Sequence, residues 1–465
     1  MEWVALSPAD WLVLIHHELL LFASLFFLLG ALDEFAIDML YAIGRVRGRI
    51  RTPTIAREAV EGRPLAGPVA AIVPAWQEDD VIGATMRHLL AAWPQRELRL
   101  YIGCYANDPA TIAAASHAAR GQGRVRIVIH GARGPTTKAD CLNRLYRAIE
   151  EDERREGMAF RMVVLHDAED MVDPAALPLF DAGLARAELM QIPVIPMPQR
   201  SSRWVAGSYV DEFAEAHGKA MVVRDWLGTG LPSAGVGCAI ARDRLRMLDA
   251  GANGAGPFDA GSLTEDYELG LKIAQEGGTT AFLRVRGEDG RLVATRAYFP
   301  RKLETAVRQK TRWVCGIALQ GWDRMGWTGS ILDGWMRLRD RRGPLSALIL
   351  FVAYLLVFLS GGLVMASALG IARMPTLTPL LEALMIANAA SLAWRAALRG
   401  LFTGREHGLE EGVRAIARIP ISNIIAIMAG RRAVAQYVGS LRGGVLHWDK
   451  TEHRDHPSIG QEAVA

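Results

Sequence analysis

The sequence predicts an α/β domain with a mostly parallel sheet, joined to about three membrane-spanning helices. The first observation behind this prediction is that short continuous apolar runs alternate with segments of helical periodicity between residues 69 and 165. Such alternation is typical of parallel strands that helices cover on both faces. The second is that apolar runs near both ends of the chain approach the roughly 20 residues that a membrane helix requires.

The composition narrows the class of protein further. Lys and Arg number 53 against 50 Asp and Glu, which gives a formal net charge of +3 and argues against a nucleic-acid-binding protein. The chain has no C-x-x-C pair among its four cysteines. We therefore interpret the cysteines as reduced residues of a cytosolic domain, and not as metal ligands or disulfides. They are Cys104, Cys141, Cys238 and Cys315.

Residues 1–51 are predicted to be an N-terminal membrane anchor with a basic flank. Residues 11–32 are apolar, interrupted mainly by His16, His17 and Glu18, for which we expect contacts within a helix bundle. A cleaved signal peptide is the alternative, but the arginines follow the apolar run instead of preceding it. This charge pattern places the N-terminus outside and the next domain in the cytoplasm. A linker, residues 52–68, is predicted from its prolines and glycines.

The predicted catalytic domain, residues 69–302, begins with strands at 69–73, 98–104, 125–129 and 162–165. Helices are predicted between them at 79–91, 110–119 and 138–150. A further strand broken by prolines follows at 191–198, and then an amphipathic helix at 203–225. In sheets of this kind, ligands bind beyond the carboxyl ends of the strands.

Acidic residues follow three of the predicted strands. They are Glu78, Asp108, Asp167, Glu169 and Asp170. Carboxylates that converge on one crevice suit a divalent cation that carries a diphosphate, although surface loops are often acidic only because they are solvated. Lys138 opens the helix after the third strand, where a cation near a helix N-terminus suits phosphate oxygens. An exposed lysine without a ligand is the alternative.

The stretch from Ser262 to Gly277 contains several acids at a predicted helix start. Ser262 with Glu265 three residues later has the form of a capping box, and acids in a first turn favour the helix dipole. Taken alone, the stretch predicts only where a helix begins. A second helix follows at 303–343, in which the spacing of Gln309, Arg312 and Trp313 places an amide, a guanidinium and an indole on one face.

These motifs together resemble those of family 2 glycosyltransferases with the GT-A fold, a Rossmann-like α/β fold, of the membrane-embedded polysaccharide-synthase kind. The resemblance covers residues 69–313. The Pro-x-Tyr-Asn-Glu opening of the family resembles residues 74–78, where Trp and Gln replace Tyr and Asn. Its Asp-x-Asp motif resembles residues 167–169, its Thr-Glu-Asp motif resembles residues 264–266, and its Gln-x-x-Arg-Trp signature matches residues 309–313.

The resemblance implies a role for each matching residue. The nucleotide would be held by Pro74, Ala75, Glu78, Asp108, Lys138 and Asp167. Mg or Mn would be held by Glu169, with Asp167 beside it and Asp170 as a rival ligand. The general base would be Asp266, next to Glu265 and Thr264. Arg312 would neutralise the departing diphosphate, and Trp313 would stack under the acceptor sugar with Gln309 beside it.

The segment from Gly235 to Arg242 resembles the glycine-containing acceptor segment of the same synthases, and an ordinary turn before a strand explains it equally well. The helix at 303–343 also has an apolar stripe suited to the membrane interface. The stripe consists of Leu303, Val307, Val314, Ile317, Ala318, Trp322 and Met325.

The remaining residues are predicted to be largely membrane-associated. Arginines precede an apolar span at 345–369 and follow a second at 377–398, so residues 344–400 form a hairpin that leaves the cytosol and returns to it. Within residues 401–440, the apolar run at 419–430 is short, which predicts an interfacial or re-entrant helix, with a fourth span as the alternative. In the cytosolic tail, 441–465, Trp448, Lys450 and Thr451 resemble a loop that closes over the nucleotide, with a disordered tail as the alternative.

Within the family, this arrangement most resembles bacterial inner-membrane proteins named for phage adsorption, which implies a cytoplasmic catalytic domain and an outer-membrane export partner. The expected function is inverting transfer of a sugar, with a UDP-linked donor, to a growing glycan at the membrane lipid surface. Two alternatives remain at this stage. One is a nucleotidyltransferase that makes sugar nucleotides, and the other is a non-catalytic membrane receptor or assembly scaffold.

Overall fold

The computed structural model describes residues 8–327, 329–371, 376–444 and His456. Its strands are β1 Thr54–Ile55, β2 Val69–Pro74, β3 Leu98–Tyr105, β4 Val125–His130, β5 Met162–Leu165, β6 Leu189–Gln191, β7 Val194–Pro196, β8 Cys238–Ala241, β9 Thr280–Phe282, β10 Arg286–Gly287 and β11 Thr295–Ala297.

The helices are α1 Pro8–Val46, α2 Arg57–Val60, α3 Ile82–Ala92, α4 Pro109–Ala118, α5 Lys138–Glu156, α6 Ala176–Gly183, α7 Val205–Glu215, α8 Met221–Trp226, α9 Arg242–Gly251, α10 Glu265–Gln275, α11 Leu303–Trp313, α12 Gly321–Met325, α13 Ile331–Arg341, α14 Gly343–Ala368, α15 Pro379–His407, α16 Leu409–Ala417 and α17 Ile419–Leu441. A 3₁₀ turn lies at Arg200–Ser202, and π-helical turns lie at Ala216–Ala220 and Val314–Gln320.

A seven-stranded sheet with the order β4-β3-β2-β5-β8-β6-β9 forms the centre of the α/β domain. β2 lies parallel to both β3 and β5, and β3 lies parallel to β4. β8 runs antiparallel to its neighbours β5 and β6, and β9 pairs with β6 in parallel. The sheet is therefore mostly parallel, as predicted, with one reversed strand inside it.

The continuous apolar sequence of β2 follows from burial on both faces of the sheet. Ala71 and Val73 belong to the core that includes α3, whereas Ala70 and Ile72 belong to the core that includes α5. All four side chains are fully buried. The two cores hold the carboxyl end of β2 in place, and the residues that follow β2 start the candidate site.

The predicted linker contains structure of its own. β1 pairs in parallel with β10. The Arg57 side chain then reaches Asp173, with Nη1 and Oδ1 2.9 Å apart. These contacts attach the segment between the anchor and the domain to the domain itself.

Two helices, Asp10–Val46 and Gly343–Ala368, are long and apolar enough to cross a membrane. Leu409–Ala417 and Ile419–Leu441 meet the same test as one unit, bent by 53°, either as a broken span or as a re-entrant loop. The structure thus extends the short apolar run at 419–430 into a helix of 23 residues. The predicted span at 377–398 corresponds to α15. This helix is not one of the described helices that are long and apolar enough to cross a membrane.

The anchor α1 contacts the rest of the protein through buried ion pairs and a hydrogen bond near its C-terminal end. Lys219, on the π-helical turn after α7, forms ion pairs with Asp38 of α1 and with Glu215. Trp394 of α15 donates a hydrogen bond from Nε1 to Asp38 Oδ2 at 2.8 Å. Nearer the N-terminus, His16 contacts Ser360 of α14 at 2.8 Å, as expected for a contact within a bundle.

Three of the seven residues in the apolar stripe predicted to lie on the membrane are buried inside the protein. Val307 packs with Tyr209 and with Ile425 of α17, and Met325 packs with residues of α10. Ala318 is also buried, whereas Leu303 and Trp322 are exposed. The prediction was wrong for the buried members because α17 and α10 cover the helix on that side.

The tail residues Trp448, Lys450 and Thr451 lie outside the described residues.

Candidate active site

Two adjoining cavities lie beyond the carboxyl ends of β2 and β5. The first measures about 680 Å³ and the second about 1430 Å³. Five residues line both cavities: Lys138, Asp167, Glu169, Gln309 and Arg312. A set of positive and negative side chains therefore marks the junction between two binding spaces.

The first cavity is walled by the end of β2 and by aromatic side chains. Pro74 and Ala75 line it directly, and so does Trp76. The Trp76 ring meets Tyr105 edge to face, with 5.1 Å between ring centroids, and Tyr105 stacks on His130 at 5.0 Å. Such a wall suits a flat heteroaromatic group.

The two acids predicted to hold a nucleotide base occupy different positions. Glu78 lines the first cavity, while its backbone amide donates to Thr111 Oγ1 at 2.9 Å. Asp108 is absent from the described lining of both cavities. Its carboxylate accepts from the Gln77 amide at 2.6 Å and caps α4 through the Thr111 amide at 3.3 Å. Asp108 therefore holds the loop that presents Glu78.

Lys138 is positioned by a capping box at the start of α5. The Thr137 hydroxyl accepts from the Asp140 amide, and the Asp140 carboxylate accepts from the Thr137 amide. The Lys138 ammonium lies 2.6 Å from Oδ1 of Asp167. Burial alone lowers the pKa of Lys138, but the carboxylates of Asp167, Glu265 and Asp266 outweigh it and raise the pKa above its usual value.

The three carboxylates at 167–170 all line the second cavity but have different partners. Asp170 is buried, and its Oδ2 lies 2.9 Å from His166 Nδ1 and accepts from the Asp167 amide at 3.0 Å. Asp167 pairs with Lys138, and Glu169 lines both cavities. Across the described ranges, no group of three or more His, Cys, Asp or Glu residues is arranged to hold a metal ion. Asp167 and Glu169 are the two carboxylates that line both cavities.

Asp266 lines the second cavity from the first turn of α10. Its Oδ1 accepts from the Tyr267 amide at 2.8 Å. A side chain on Gly235, which has φ +71°, would place Cβ 2.3 Å from Asp266 Oδ2, so glycine permits this close approach. Burial raises the pKa of Asp266 above its ordinary value of 3.8, and the positive charges of Lys138 and Arg312 offset part of the rise.

The predicted capping box at Ser262 was wrong. The helix begins at Glu265 with Thr264 as N-cap and without a side-chain cap. The Ser262 hydroxyl donates instead to Glu268 Oε1 at 2.7 Å, because tertiary packing brings these two buried groups together. Thr264 and Glu265 line the second cavity with Asp266. Burial and the neighbouring Asp266 raise the pKa of Glu265.

The predicted shared face of Gln309, Arg312 and Trp313 points into the second cavity. Trp313 packs in an aromatic cluster, with ring centroids 6.0 Å from Tyr209 and 6.2 Å from Phe213. The helix then continues as the π-helical turn Val314–Gln320. There, a Cβ on Gly316 would lie 2.5 Å from Thr264 Oγ1. This contact joins the segment with the arginine to the segment with the acids.

Several lining residues were missed by the sequence analysis. They are Tyr105, Thr136 and Thr137 in the first cavity and Phe213, His217, Tyr298 and Phe299 in the second. Tyr105 ends β3 and was a detectable strand-end residue. His217 lies on the π-helical turn Ala216–Ala220, and burial lowers its pKa to about 4, so it is a neutral imidazole near neutral pH. A sequence pattern does not predict such a turn.

The sheet and the paired cavities define an α/β domain of the kind that binds a nucleotide at its strand ends. Residues 66–316 match the model of "Glycosyltransferase like family 2". The match covers more than half of the chain, and the chain belongs to this family. The family resemblance and the fold class predicted from the sequence are confirmed.

Two bacterial relatives support this placement. The chain is 33% identical over 484 residues to bacteriophage adsorption protein B of Escherichia coli (strain K12) and, equally, to bacteriophage N4 adsorption protein B of Escherichia coli O157:H7. The alignment covers 99% of this chain but 64% of each relative, so the chain spans less than two thirds of their length.

One solved structure shares the fold at low identity. It is the mannosyltransferase PcManGT from Pyrobaculum calidifontis in complex with GDP-Man and Mn²⁺, with a TM-score of 0.51 and 16% identity. The superposition covers 89% of this chain and 99% of that chain, so it extends beyond the sheet to the helices that follow it.

Proposed function

We propose that this protein transfers a sugar, with inversion, from a nucleoside diphosphate donor to a glycan acceptor at the bacterial inner membrane. The observation that carries the proposal is the pair of cavities that meet at Lys138, Asp167 and Arg312. A donor in the first cavity would place its diphosphate at these charges. Its sugar would then extend into the second cavity, beside the acids.

The first cavity suits the nucleotide. Trp76 and Tyr105 offer ring surfaces to a base, and Glu78 offers a carboxylate to its edge. Lys138 lies at the N-terminus of α5, where a cation and backbone amides both favour phosphate. A UDP-linked sugar is the donor we expect, by the resemblance of the motifs.

A divalent cation fits the junction when the phosphates of the donor supply the remaining ligands. Asp167 and Glu169 supply two carboxylates there, and Mg²⁺ is commonly bound by one or two carboxylates together with substrate phosphates. When bound, Mg²⁺ or Mn²⁺ supplies charge stabilisation to the diphosphate leaving group. Asp170 contributes by holding the loop, since its carboxylate contacts His166 and the Asp167 amide.

Asp266 is the proposed general base. Its carboxylate lines the second cavity and would accept the proton of the acceptor hydroxyl as that oxygen attacks the anomeric carbon. The bond from the anomeric carbon to the diphosphate oxygen breaks as the new one forms. Lys138 and Arg312 stabilise the negative charge that develops on the leaving diphosphate.

The second cavity suits a sugar acceptor because aromatic rings line one side of it. Trp313, Phe213 and Phe299 contribute these rings, and sugars bind on such surfaces through their apolar faces. The membrane helices and the arginine pattern support a cytoplasmic catalytic domain at the inner membrane. An outer-membrane export partner is part of the same proposal, by analogy with the phage-adsorption relatives.

The experiment is a donor screen with the purified full chain, several UDP- and GDP-linked sugars and Mg²⁺ or Mn²⁺. Release of nucleoside diphosphate in the presence of bacterial membranes supports the proposal. Release of pyrophosphate from a nucleotide and a sugar phosphate would indicate a nucleotidyltransferase instead. Donor binding without turnover for every donor would indicate the non-catalytic scaffold.

A further inference from the structure

A third cavity lies away from the proposed active site, between the domain and the bend that joins α16 to α17. It measures about 740 Å³. Charged side chains form much of its wall: Arg200, Arg203, Arg414, Arg418, Glu410 and Glu411. We propose that this cavity, with the apolar surface beside it, binds the headgroup of an anionic phospholipid in the leaflet next to the catalytic domain.

The arginines divide into two that are already paired and two that face solvent. Arg418 is buried, with 2.8 Å between Nη2 and Asp211 Oδ1, and it also pairs with Glu411 at 2.8 Å. Arg414 pairs with Glu410 and Glu411. Arg200 and Arg203 are exposed, and within the described part of the chain neither forms an ion pair. These two guanidinium groups remain for a ligand.

An apolar surface continues from this cavity. Leu409, Val413 and Ile416 share one face of α16 and are 82%, 62% and 44% exposed. The adjoining side of α16 is covered, because Gly412 packs closely on Gly400 of α15 and the Ile416 side chain reaches the same glycine. Trp204, next to Arg203, is 51% exposed. An exposed apolar stripe with arginines at its edge is typical of helices at a membrane interface.

We infer the ligand of the third cavity from its position beside the membrane helices. α16 and α17 together satisfy the length and apolarity of a membrane span. The free arginines therefore lie beside an element that enters the bilayer, where headgroup phosphates are within reach. Basic residues near a membrane surface strengthen binding to anionic lipid by about fivefold each, so two of them contribute roughly thirtyfold.

The test titrates the detergent-solubilised full chain with fluorescent phosphatidylglycerol and, separately, with fluorescent phosphatidylcholine, followed by anisotropy. The variant is R200Q/R203Q. The matched control is R120Q/R186Q, which removes two exposed arginines elsewhere on the domain. Because all four side chains are exposed, we expect both proteins to unfold at the temperature of the wild type.

We expect wild type and control to prefer phosphatidylglycerol and R200Q/R203Q to lose about fivefold to thirtyfold in affinity for it. Binding of phosphatidylcholine should not change. Equal phosphatidylglycerol affinity in R200Q/R203Q and the control overturns the proposal, and the surface is then better explained by a protein partner. The same holds if the wild type binds both lipids equally. Neither result depends on the proposed glycosyltransferase chemistry.

Discussion

The Lys138 ammonium lies 2.6 Å from the Asp167 carboxylate at the junction of the two cavities. In the proposed binding mode, a donor diphosphate in the first cavity would meet this pair, and Asp266 lines the second cavity. The same lysine also acts on Asp266 through its charge, and removal of Lys138 therefore has two separable effects.

The first prediction concerns the pH dependence of Lys138→Gln. Asp266 must be ionised to accept a proton, so kcat/KM should fall as the pH falls through its pKa. Burial raises that pKa, and Lys138 lowers it. Loss of Lys138 should therefore raise the pKa and move the acidic limb of the profile to higher pH. The Lys272→Gln control removes a lysine that pairs with Glu268 on the same helix as Asp266. If the acidic limb of the kcat/KM profile lies at the same pH in Lys138→Gln as in the wild type, Lys138 does not lower the pKa of Asp266.

A second prediction follows from the contact between Gly235 and Asp266. Gly235→Ala should reduce kcat by roughly a hundredfold, because the new Cβ would displace the Asp266 carboxylate and small misplacements of reacting groups have effects of that size. Gly290→Ala is the matched control. Gly290 also has positive φ, +75°, but nothing lies within 4 Å of the position of its Cβ.

Both alanine variants place an L residue at positive φ, which costs about 1–2 kcal/mol in each. Gly235→Ala should also unfold at a lower temperature than Gly290→Ala, because its Cβ meets Asp266 and the Cβ at position 290 meets nothing within 4 Å. Steady-state kinetics of the folded proteins then compares their activities. If Gly290→Ala loses as much activity as Gly235→Ala, the loss comes from strain and not from the Asp266 contact.

Third, Trp313 should govern acceptor binding. Trp313→Ala should raise the acceptor KM about twofold to twelvefold, the range expected from a lost aromatic contact of about 0.5–1.5 kcal/mol. Trp313→Phe keeps a ring against Tyr209 and Phe213 and should change the KM less. The KM for the donor nucleotide should stay the same in both. A change confined to the donor KM would contradict the assignment of Trp313 to the acceptor site.

Fourth, Lys219→Met should destabilise the junction between α1 and the domain. The variant removes the buried Lys219 ammonium from Asp38 and Glu215 and leaves them the less buried Arg395 guanidinium. A buried pair broken on one side costs about 3–5 kcal/mol, and we expect the lower end of that range because Arg395 remains. Lys272→Met, which breaks a partly exposed pair, should change the stability by less than about 1 kcal/mol. Thermal unfolding in detergent compares them, and equal stability of both variants would refute the anchoring role of Lys219.

The sequence predicted β2, β3, β4 and β5 well because their signal is local, whereas β1, β9, β10 and β11 were not predicted. β2 and β5 are short, wholly apolar and buried on both faces, so their bounds can be recognised from the run itself. α5 extends beyond its predicted end at residue 150 to Glu156, where Gly157 in the left-handed region stops it. The acids at the strand ends pointed, for the same local reason, to the edge of the sheet at which the two cavities lie.

Features that depend on distant contacts were not predictable in this way. Ser262 donates to Glu268 instead of capping the helix, and the stripe around Val307 packs on α17 instead of on lipid. A periodic pattern shows that a face is apolar but not which partner covers it. Likewise, Asp108 was correctly recognised as a strand-end acid, but its hydrogen bond to the Gln77 amide comes from the loop geometry.

The central claim is that Asp266 is the base of a sugar transfer, and the most direct measurement compares Asp266→Asn with wild type in the reconstituted full chain. Transfer of radiolabelled sugar and binding of the donor are measured on the same preparations. Asp243→Asn serves as a control, because Asp243 is an exposed carboxylate of α9. Asp266→Asn should bind the donor as the wild type does and transfer sugar about 10²- to 10⁴-fold more slowly, the usual contribution of a general base. Sugar transfer by Asp266→Asn at the wild-type rate would contradict the account.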